Sequence, residues 1–470
     1  MKKSLSFKVV VLILCCLLST SFFTGITASE SKSAPKNIIF LIGDGMGPNQ
    51  VKMAHDYIGK NLNMENMTYK GTSETSNVSG ATTDSAAGGT ALACGIKTTN
   101  GYVGVDKNGN PVQNIREFLA EKGKKTGLVS TVSIADATPA AFGAHNISRT
   151  NQSQIAAEYI QRKIDIIMGG GGKYFSQELR NTAKAEGYTV ITTKNELNSH
   201  SSSTRLLALF HDGNFPEYKN GYPSTTPTIA EMTSKSIDFL KDHEEGFFLM
   251  VEGGLIDITG HANNIDNNIA ETLQFDQAVK VALDFAKQDG NTLVIVTADH
   301  ETGGLKQEGN NYRFTSGSHT GVNVPVFAEG KGAENFQGNL SNADFKKKIM
   351  DLFVEDESTT SVDTTAPVTT TPITTVANTT ANDTTTPVTA ADDTTANDTT
   401  TPVTADDDTT ANDTTVAGIS TVETAETTAA TTSTDTESSS PIYAAVLAGG
   451  VVIIVIGAVI FMLRKKAANE

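Results

Sequence analysis

Apolar and polar positions follow two alternating patterns along the first three quarters of the chain. Short, nearly unbroken apolar runs predict strands at residues 37–42, 126–131, 164–168, 247–251 and 292–297. Between them, residues 115–122, 229–243 and 269–287 have the apolar spacing typical of helices. Strands that are apolar on both faces are typical of parallel sheets covered by helices. We therefore predict an α/β fold, a three-layer sandwich with a central, mostly parallel sheet between two helical layers.

Two further apolar runs lie near the ends of the chain. The first follows Lys2 and Lys3 and is too short to span a bilayer, so residues 1–29 are predicted to be a secretory signal peptide. The second, residues 442–463, is long enough to form a transmembrane helix. Residues 464–470 then form a short basic tail, which is typical of the cytoplasmic side. We expect a single-pass protein of the cell membrane whose folded domain is extracellular, rather than one with a removable C-terminal anchor signal.

The composition changes between residues 358 and 440, where Thr, Asp, Ala, Ser and Val dominate and Lys and Arg are absent. The unit Ala-Asn-Asp-Thr-Thr recurs at Ala381, Ala396 and Ala411, but it is too short and polar to build a solenoid core. This segment is predicted to be a disordered stalk. Its acidic residues supply most of the net charge of −17, so the charge says little about substrates, and no basic cluster suggests nucleic-acid binding.

A serine beside an acid stands where a predicted helix begins, in Thr83-Asp-Ser-Ala-Ala-Gly-Gly-Thr90. The free N–H groups of a helix start attract anions, so the hydroxyl of Ser85 could attack a bound phosphorus atom. Asp84 is close enough to steer a cation. An ordinary capped helix accounts for the same residues, and both interpretations stay open.

Three predicted strands lead directly into acidic residues. Asp44 and Glu252 each follow a strand, and Asp299 with His300 follows another. Ligands of parallel sheets gather beyond the carboxyl ends of the strands, so this pattern indicates a metal cluster. Asp44, Glu252 and Thr138 together offer only oxygen ligands, which suit magnesium.

Histidines add a second kind of ligand. Asp257 and His261 are four positions apart, so one helical turn could direct both at one ion, although a surface ion pair has the same spacing. His319 lies in a loop that leads into a strand, where a solvent-facing histidine is also common. Carboxylates mixed with imidazoles suit zinc. Arg149 could hold two phosphate oxygens, or it could be an exposed arginine at a helix end.

A glycine run at residues 169–172 precedes Lys173 and superficially resembles a phosphate-binding loop. The spacing of that loop and its Ser or Thr after the lysine are missing. We therefore predict a tight turn after a strand.

In combination these segments resemble the alkaline phosphatase family. The matching stretches are residues 37–47, 83–90, 136–139, 251–257 and 297–304, followed by His319, in the order of that family. The likeness covers residues 36–353, and it implies that residues 36–355 form an alkaline-phosphatase-like catalytic domain. It also implies a first zinc site of Asp257, His261 and His319, a second zinc site of Asp44, Asp299 and His300, and a magnesium site of Asp44, Thr138 and Glu252.

The resemblance further implies the reaction. Ser85 would be the nucleophile that forms a phosphoserine intermediate, and Arg149 would bind the phosphate, with Ser85 and Asp136 also in contact with the substrate. The expected activity is the hydrolysis of small phosphate monoesters with two Zn²⁺ ions and one Mg²⁺ ion per chain. The family is often dimeric, so a homodimer is one expected assembly, and no nucleic-acid partner is expected.

One position departs from the family pattern. Members pair Asp or His at position 136 with Lys, His or Trp at the position after Asp257, but here that residue is Ile258. The identity of the third ion is therefore open. A sulfatase is disfavoured because Ser85-Ala-Ala-Gly lacks the Cys/Ser-X-Pro-X-Arg motif. A surface adhesin with a decayed catalytic fold is disfavoured because every expected ligand position is filled.

Overall fold

One large sheet organises the part of the chain that the computed structural model describes, residues 34–201 and 204–354. The strands of these residues are β1 Asn37–Ile42, β2 Tyr69–Glu74, β3 Lys125–Ser133, β4 Ile166–Gly170, β5 Tyr188–Ile191, β6 Arg205–Leu209, β7 Phe247–Glu252, β8 Thr292–Thr297, β9 Glu301–Thr302, β10 Lys306–Glu308, β11 Asn311–Arg313, β12 His319–Thr320, β13 Val324–Gly330 and β14 Gly338–Ser341. The helices are α1 Pro48–Ile58, α2 Ser85–Cys94, α3 Ile115–Glu121, α4 Ala137–Gly143, α5 Gln152–Gln161, α6 Gln177–Ala185, α7 Lys194–Ser199, α8 Ile229–Leu240, α9 Leu255–His261, α10 Ile265–Asp289 and α11 Asp344–Asp351.

The strand order of the ten-stranded sheet is β14-β2-β13-β8-β1-β7-β3-β4-β6-β5. The strands from β8 to β5 in this order all run parallel, and β13 is antiparallel to both of its neighbours. The prediction of a mostly parallel sheet is therefore confirmed. In the central register, Ile42 of β1 lies level with Glu252 of β7 and Thr297 of β8, so these three strands end together.

Both faces of the sheet are covered. Alternate residues of β1 point to opposite sides: Ile38 and Phe40 pack in one apolar cluster, and Ile39 and Leu41 in another. The helices α2 to α6 and α11 contribute to the first cluster, and α1 and α7 to α10 contribute to the second. Because side chains alternate along a strand, an unbroken apolar run fills both layers. The predicted three-layer sandwich is confirmed.

The sequence located the central strands better than the outer ones. β1 and β8 have the predicted bounds, whereas β3 is longer and β4 begins and ends two residues later than predicted. The apolar runs did not reveal β2, because its first four residues alternate between half-buried and exposed and the one buried residue is the polar Ser73. The same applies to β14, which has two exposed residues.

The glycine run at residues 169–172 completes β4 and forms the turn after it. A Cβ atom on Gly170 would lie 2.3 Å from the carbonyl oxygen of Gly213, and Gly171 has a φ of +83°. These glycines are required by a close backbone approach and a left-handed turn. The run has the role of a tight turn, as predicted.

The predicted signal peptide, stalk, transmembrane helix and basic tail lie outside the described residues. Contacts divide the chain after Ala366, and every described residue belongs to the first of the two units. Among residues 34–201 and 204–354, no helix has both the length and the apolar character needed to cross a bilayer. The domain boundaries stay predictions.

The close packing of α2 gives a test of the fold. A Cβ atom on Gly88 would lie 2.9 Å from the backbone oxygen of Asp299. Alanine in a helix interior is normally about 1 kcal/mol better than glycine, but here the neighbouring backbone would have to move. We expect Gly88→Ala to lower the free energy of unfolding by about 1–3 kcal/mol, measured by thermal or denaturant unfolding.

Gly213→Ala is the matched control, because a Cβ atom there meets nothing within 4 Å and the backbone is not left-handed. Its effect should stay within about 0.5 kcal/mol. A Gly88→Ala protein as stable as the wild type would contradict the packing argument.

Candidate active site

The carboxyl ends of four neighbouring strands bring the predicted ligands to one edge of the sheet. Asp44 follows β1, Glu252 is the last residue of β7, and Asp299 precedes His300 directly after β8. Thr138 lies in α4, which follows β3. Since β8, β1, β7 and β3 are consecutive in the sheet, these residues form one buried group although up to 256 positions separate them in sequence.

Ser85 is the first residue of α2, and its neighbour supplies the cap. Asp84 accepts a hydrogen bond at Oδ1 from the backbone N–H of Ala87, at 2.9 Å. The hydroxyl of Ser85 is therefore not used for capping. It lies 3.2 Å from Nε2 of His300, and Ser85 is only 2% exposed. The capped helix and the reactive serine are both present, on adjacent residues.

A first group of ligand atoms comes from α9 and β12. Nε2 of His261 lies 3.0 Å from Nε2 of His319, and the two nitrogens lie 3.4 Å and 3.5 Å from the carboxylate of Asp257. Nδ1 of His261 faces the carbonyl oxygen of Gly317, and Nδ1 of His319 faces that of Thr83. A carbonyl fixes the proton on Nδ1, which leaves Nε2 as a metal ligand. This arrangement suits a zinc-like ion.

A second group surrounds His300. Its Nε2 lies 3.3 Å from Oδ2 of Asp299 and 3.5 Å from Oδ1 of Asp44, and both of these oxygens are buried without a hydrogen-bond partner. Asp257 also has an oxygen within 4.8 Å of Asp44 and His300. Asp257 therefore lies between the two groups, whereas the sequence assigned it to the first alone.

A third group contains only oxygen atoms. Glu252 accepts a hydrogen bond from the hydroxyl of Ser130. Thr138 Oγ1 is buried and close enough to Glu252 to favour its ionised form, yet it makes no hydrogen bond of ordinary geometry. Unpartnered buried oxygens are costly unless a cation binds them. The residues present therefore fit a hard cation such as magnesium.

The pKa values of the carboxyl groups in these three ligand groups also indicate a site for cations. Burial, and then the charge of Asp299, raises the pKa of Asp44 well above its ordinary value. Burial raises the pKa of Glu252 to about 8. Burial acts on Asp257 too, but the adjacent imidazoles of His261 and His319 outweigh it and lower the pKa of that carboxyl. Ionising Asp44 and Glu252 at neutral pH therefore requires nearby positive charge.

Arg149 is held by two acids rather than exposed at a helix end. Its guanidinium donates to Oδ2 of Asp84 at 3.3 Å and to Oδ1 of Asp136 at 3.1 Å. Burial alone would lower the pKa of Arg149, but Asp136 and Asp84 raise it. Asp136 also caps α4 by accepting a hydrogen bond from the N–H of Ala137.

Ile258 lies on α9 next to Asp257 and is 38% exposed. Because its side chain is apolar, it brings no charge to the site.

Sequence reasoning missed one residue that joins the first two groups. The hydroxyl of Thr302 donates to Asp257 and lies 3.3 Å from Nδ1 of His300. Thr302 belongs to β9, which pairs with β12 and places it opposite His319. Its position in the stretch 297–304 was the available signal, but the pairing of two-residue strands leaves no apolar pattern.

Comparisons with known proteins agree with this geometry. The alkaline phosphatase family model matches residues 35–316. The chain is 42% identical to alkaline phosphatase 4 of Bacillus subtilis (strain 168), covering 59% of this chain and 63% of that protein. It is 34% identical to the alkaline phosphatase of Escherichia coli (strain K12), covering 67% of this chain and 85% of that protein.

Solved structures give the same result. The alkaline phosphatase of the Antarctic bacterium TAB5 matches with a TM-score of 0.65 and 36% identity, over 68% of this chain and 99% of that one. A variant of that enzyme was solved with magnesium bound. The chain spans less than two thirds of the length of the two Bacillus subtilis relatives.

The raised pKa of Glu252 makes a prediction for the metal-free protein. Its ordinary value is 4.5 and its folded value is about 8, so the fold favours the protonated form. The stability that this proton provides should be lost as pH rises from about 4.5 through about 8. In Glu252→Gln the neutral amide cannot ionise, so the loss should be smaller, by on the order of a few kcal/mol at about 1.4 kcal/mol per pKa unit.

Thermal unfolding in excess chelator, between about pH 5 and pH 9, measures both proteins. Asp44 is present in each and serves as the internal control. Equal slopes with pH in the two proteins would contradict the assignment.

Proposed function

The chain belongs to the alkaline phosphatase family, and on that premise we propose that it hydrolyses phosphate monoesters to inorganic phosphate and an alcohol. The observation that supports this most strongly is the position of Ser85. Its hydroxyl lies at the start of α2, 3.2 Å from His300, whose Nε2 in turn faces the buried carboxylates of Asp44 and Asp299. A nucleophile between a helix N-terminus and candidate cation ligands suits attack on a bound phosphate.

Three ions complete the proposal. Asp257, His261 and His319 would hold one zinc ion, Asp44, Asp299 and His300 a second, and Asp44, Thr138 and Glu252 a magnesium ion. When bound, these ions would supply the positive charge that lowers the pKa of the serine hydroxyl and stabilises the leaving oxygen. The unpartnered oxygens of Asp44, Asp299 and Thr138 support this allocation.

The protein's own residues carry out the two chemical steps. The hydroxyl of Ser85 loses its proton, and its Oγ attacks phosphorus to form a phosphoserine while the bond between phosphorus and the ester oxygen breaks; the leaving oxygen takes up a proton and departs as the alcohol. Arg149 binds two phosphate oxygens with its fork of N–H donors, and Asp84 and Asp136 hold the guanidinium in orientation. Water then attacks the phosphoserine from the side that the alcohol left, which returns the serine and releases phosphate.

The sequence also supports a location. A signal peptide at residues 1–29, a stalk, a span at residues 442–463 and a basic tail would place the catalytic domain outside the cell on a single membrane anchor. Small phosphomonoesters in solution would then be the substrates. A homodimer is part of this proposal by analogy with the family, and no nucleic-acid partner is proposed.

One assay with metal analysis tests the proposed activity. Purified protein should hydrolyse p-nitrophenyl phosphate far faster than the matching diester or sulfate. Exhaustive chelation should reduce turnover by at least about a hundredfold, because the buried carboxylates then lack their counter-charge. Zinc plus magnesium should restore more activity than either ion alone. Full activity after chelation would rule out the three-ion site, and a preference for the diester or sulfate would rule out the monoesterase.

Replacing the nucleophile gives a sharper result. Ser85→Ala should lower turnover by about three orders of magnitude or more, yet metal content should stay near that of the wild type. Ser236→Ala, which replaces a buried helical serine in α8, is the control, and this variant should keep the wild-type activity.

Wild-type protein in an alcohol such as Tris should form a new phosphate monoester. A chiral phosphate should keep its configuration, because two inversions cancel, whereas a single inversion would show direct attack by water.

A further inference from the structure

The serine and the arginine of the proposed site lie on separate elements. Ser85 begins α2, whereas Arg149 lies in the stretch between α4 and α5. Residues 101–104, which we name the linking segment, run between these two elements and make backbone contacts in both directions. The guanidinium of Arg149 is bonded directly to Asp84, beside Ser85, and the linking segment is a second connection, which holds the backbone of Arg149.

On one side the linking segment is bound to α2. Thr90 Oγ1 donates to the carbonyl oxygen of Tyr102 at 3.1 Å and accepts from the N–H of Gly104 at 2.9 Å. The N–H of Gly101 donates to Asp84 Oδ2 at 2.9 Å. The hydroxyl of Thr90 thus uses its donor and an acceptor site on one segment, and the residue is fully buried.

On the other side the segment pairs with the residues around Arg149. The N–H of Arg149 donates to the carbonyl oxygen of Gly101 at 2.8 Å. Val103 and Asn146 exchange two backbone hydrogen bonds, each 2.9 Å long. Gly104 has a φ of +65°, and a Cβ atom on it would lie 2.2 Å from the oxygen of Ala144. The segment is therefore closely fitted to the arginine stretch.

The direction of the Thr90 hydroxyl is unusual for a helix. Thr233 in α8 and Thr272 in α10 are equally buried, and each donates its hydroxyl to the carbonyl four residues earlier in its own helix. That is the common bond of a helical threonine. Thr90 instead connects its helix to a different part of the chain.

We propose that Thr90 is a positioning residue that sets the placement of Arg149 relative to Ser85. It does not contact the substrate itself. Without its hydroxyl, the N–H of Gly104 and the carbonyl of Tyr102 would lose their partner inside the protein, and the segment would shift to regain hydrogen bonds. Arg149 would move with it, because its N–H is bound to Gly101. The inference rests on the proposed phosphatase function, and it assigns a role to a residue of the matching stretch 83–90 for which the family resemblance gave none.

Thr90→Val tests this with nearly unchanged volume. We expect inhibition by inorganic phosphate to weaken about tenfold or more, because small displacements at a reaction centre are costly. Metal content should stay that of the wild type. Amide hydrogen exchange of residues 101–104 should become faster, which is a readout independent of activity. Thr90→Ser keeps the hydroxyl and should return phosphate inhibition to within about threefold of wild type.

Thr233→Val is the matched control, since it removes an equally buried helical hydroxyl and should change neither phosphate inhibition nor exchange in residues 101–104. If Thr90→Val does not fold, Thr90→Ala provides the same comparison with a smaller side chain. Wild-type phosphate inhibition and exchange in a folded Thr90 variant without the hydroxyl would overturn the inference. A wild-type protein without monoesterase activity would instead overturn the proposed function. Amide hydrogen exchange of residues 101–104 in the Thr90 variants would still test whether Thr90 holds the linking segment.

Discussion

The mutual repulsion of buried carboxylates is the constraint on which the rest of this structure depends. Asp44, Asp299 and Glu252 lie at the ends of three neighbouring strands with almost no access to water. Negative charges so close together cannot all ionise in a poorly hydrated site unless cations balance them. Burial first, and the neighbouring acids after it, raise the pKa values of Asp44 and Glu252. The same carboxylates thus affect both the stability of the fold and the binding of the proposed ions.

Close backbone packing brings the reactive serine to this cluster. Gly88 approaches the backbone of Asp299, and Gly89 approaches Thr138. A helix made of small residues can lie deep in the apolar layer and present its N-terminus to the carboxyl ends of the strands. The small residues of α2 thus allow Ser85 to lie beside His300.

The central strands could be predicted from sequence, and so could the meeting of most candidate site residues at one edge of the sheet, because each has a local signal. The unbroken apolar runs of β1 and β8 reflect burial on both faces, and the acids directly after them mark the functional edge. Other features depend on distant parts of the chain. The position of Asp257 between two ligand groups, and the acids on both sides of Arg149, arise only when several loops meet. The antiparallel direction of β13 could not be predicted from sequence either, because it depends on the strands that pair with it.

The charges around the phosphate position also determine which groups must bind it. Arg149 is already paired with Asp84 and Asp136, so much of its charge is balanced before a substrate arrives. Ile258 adds none. A doubly charged phosphate would therefore depend on cations in the carboxylate cluster, and on the orientation of the guanidinium more than on its charge. Orientation is a property of the surrounding backbone. The hydrogen bonds that fix the stretch around Arg149 consequently matter as much to phosphate binding as the arginine itself.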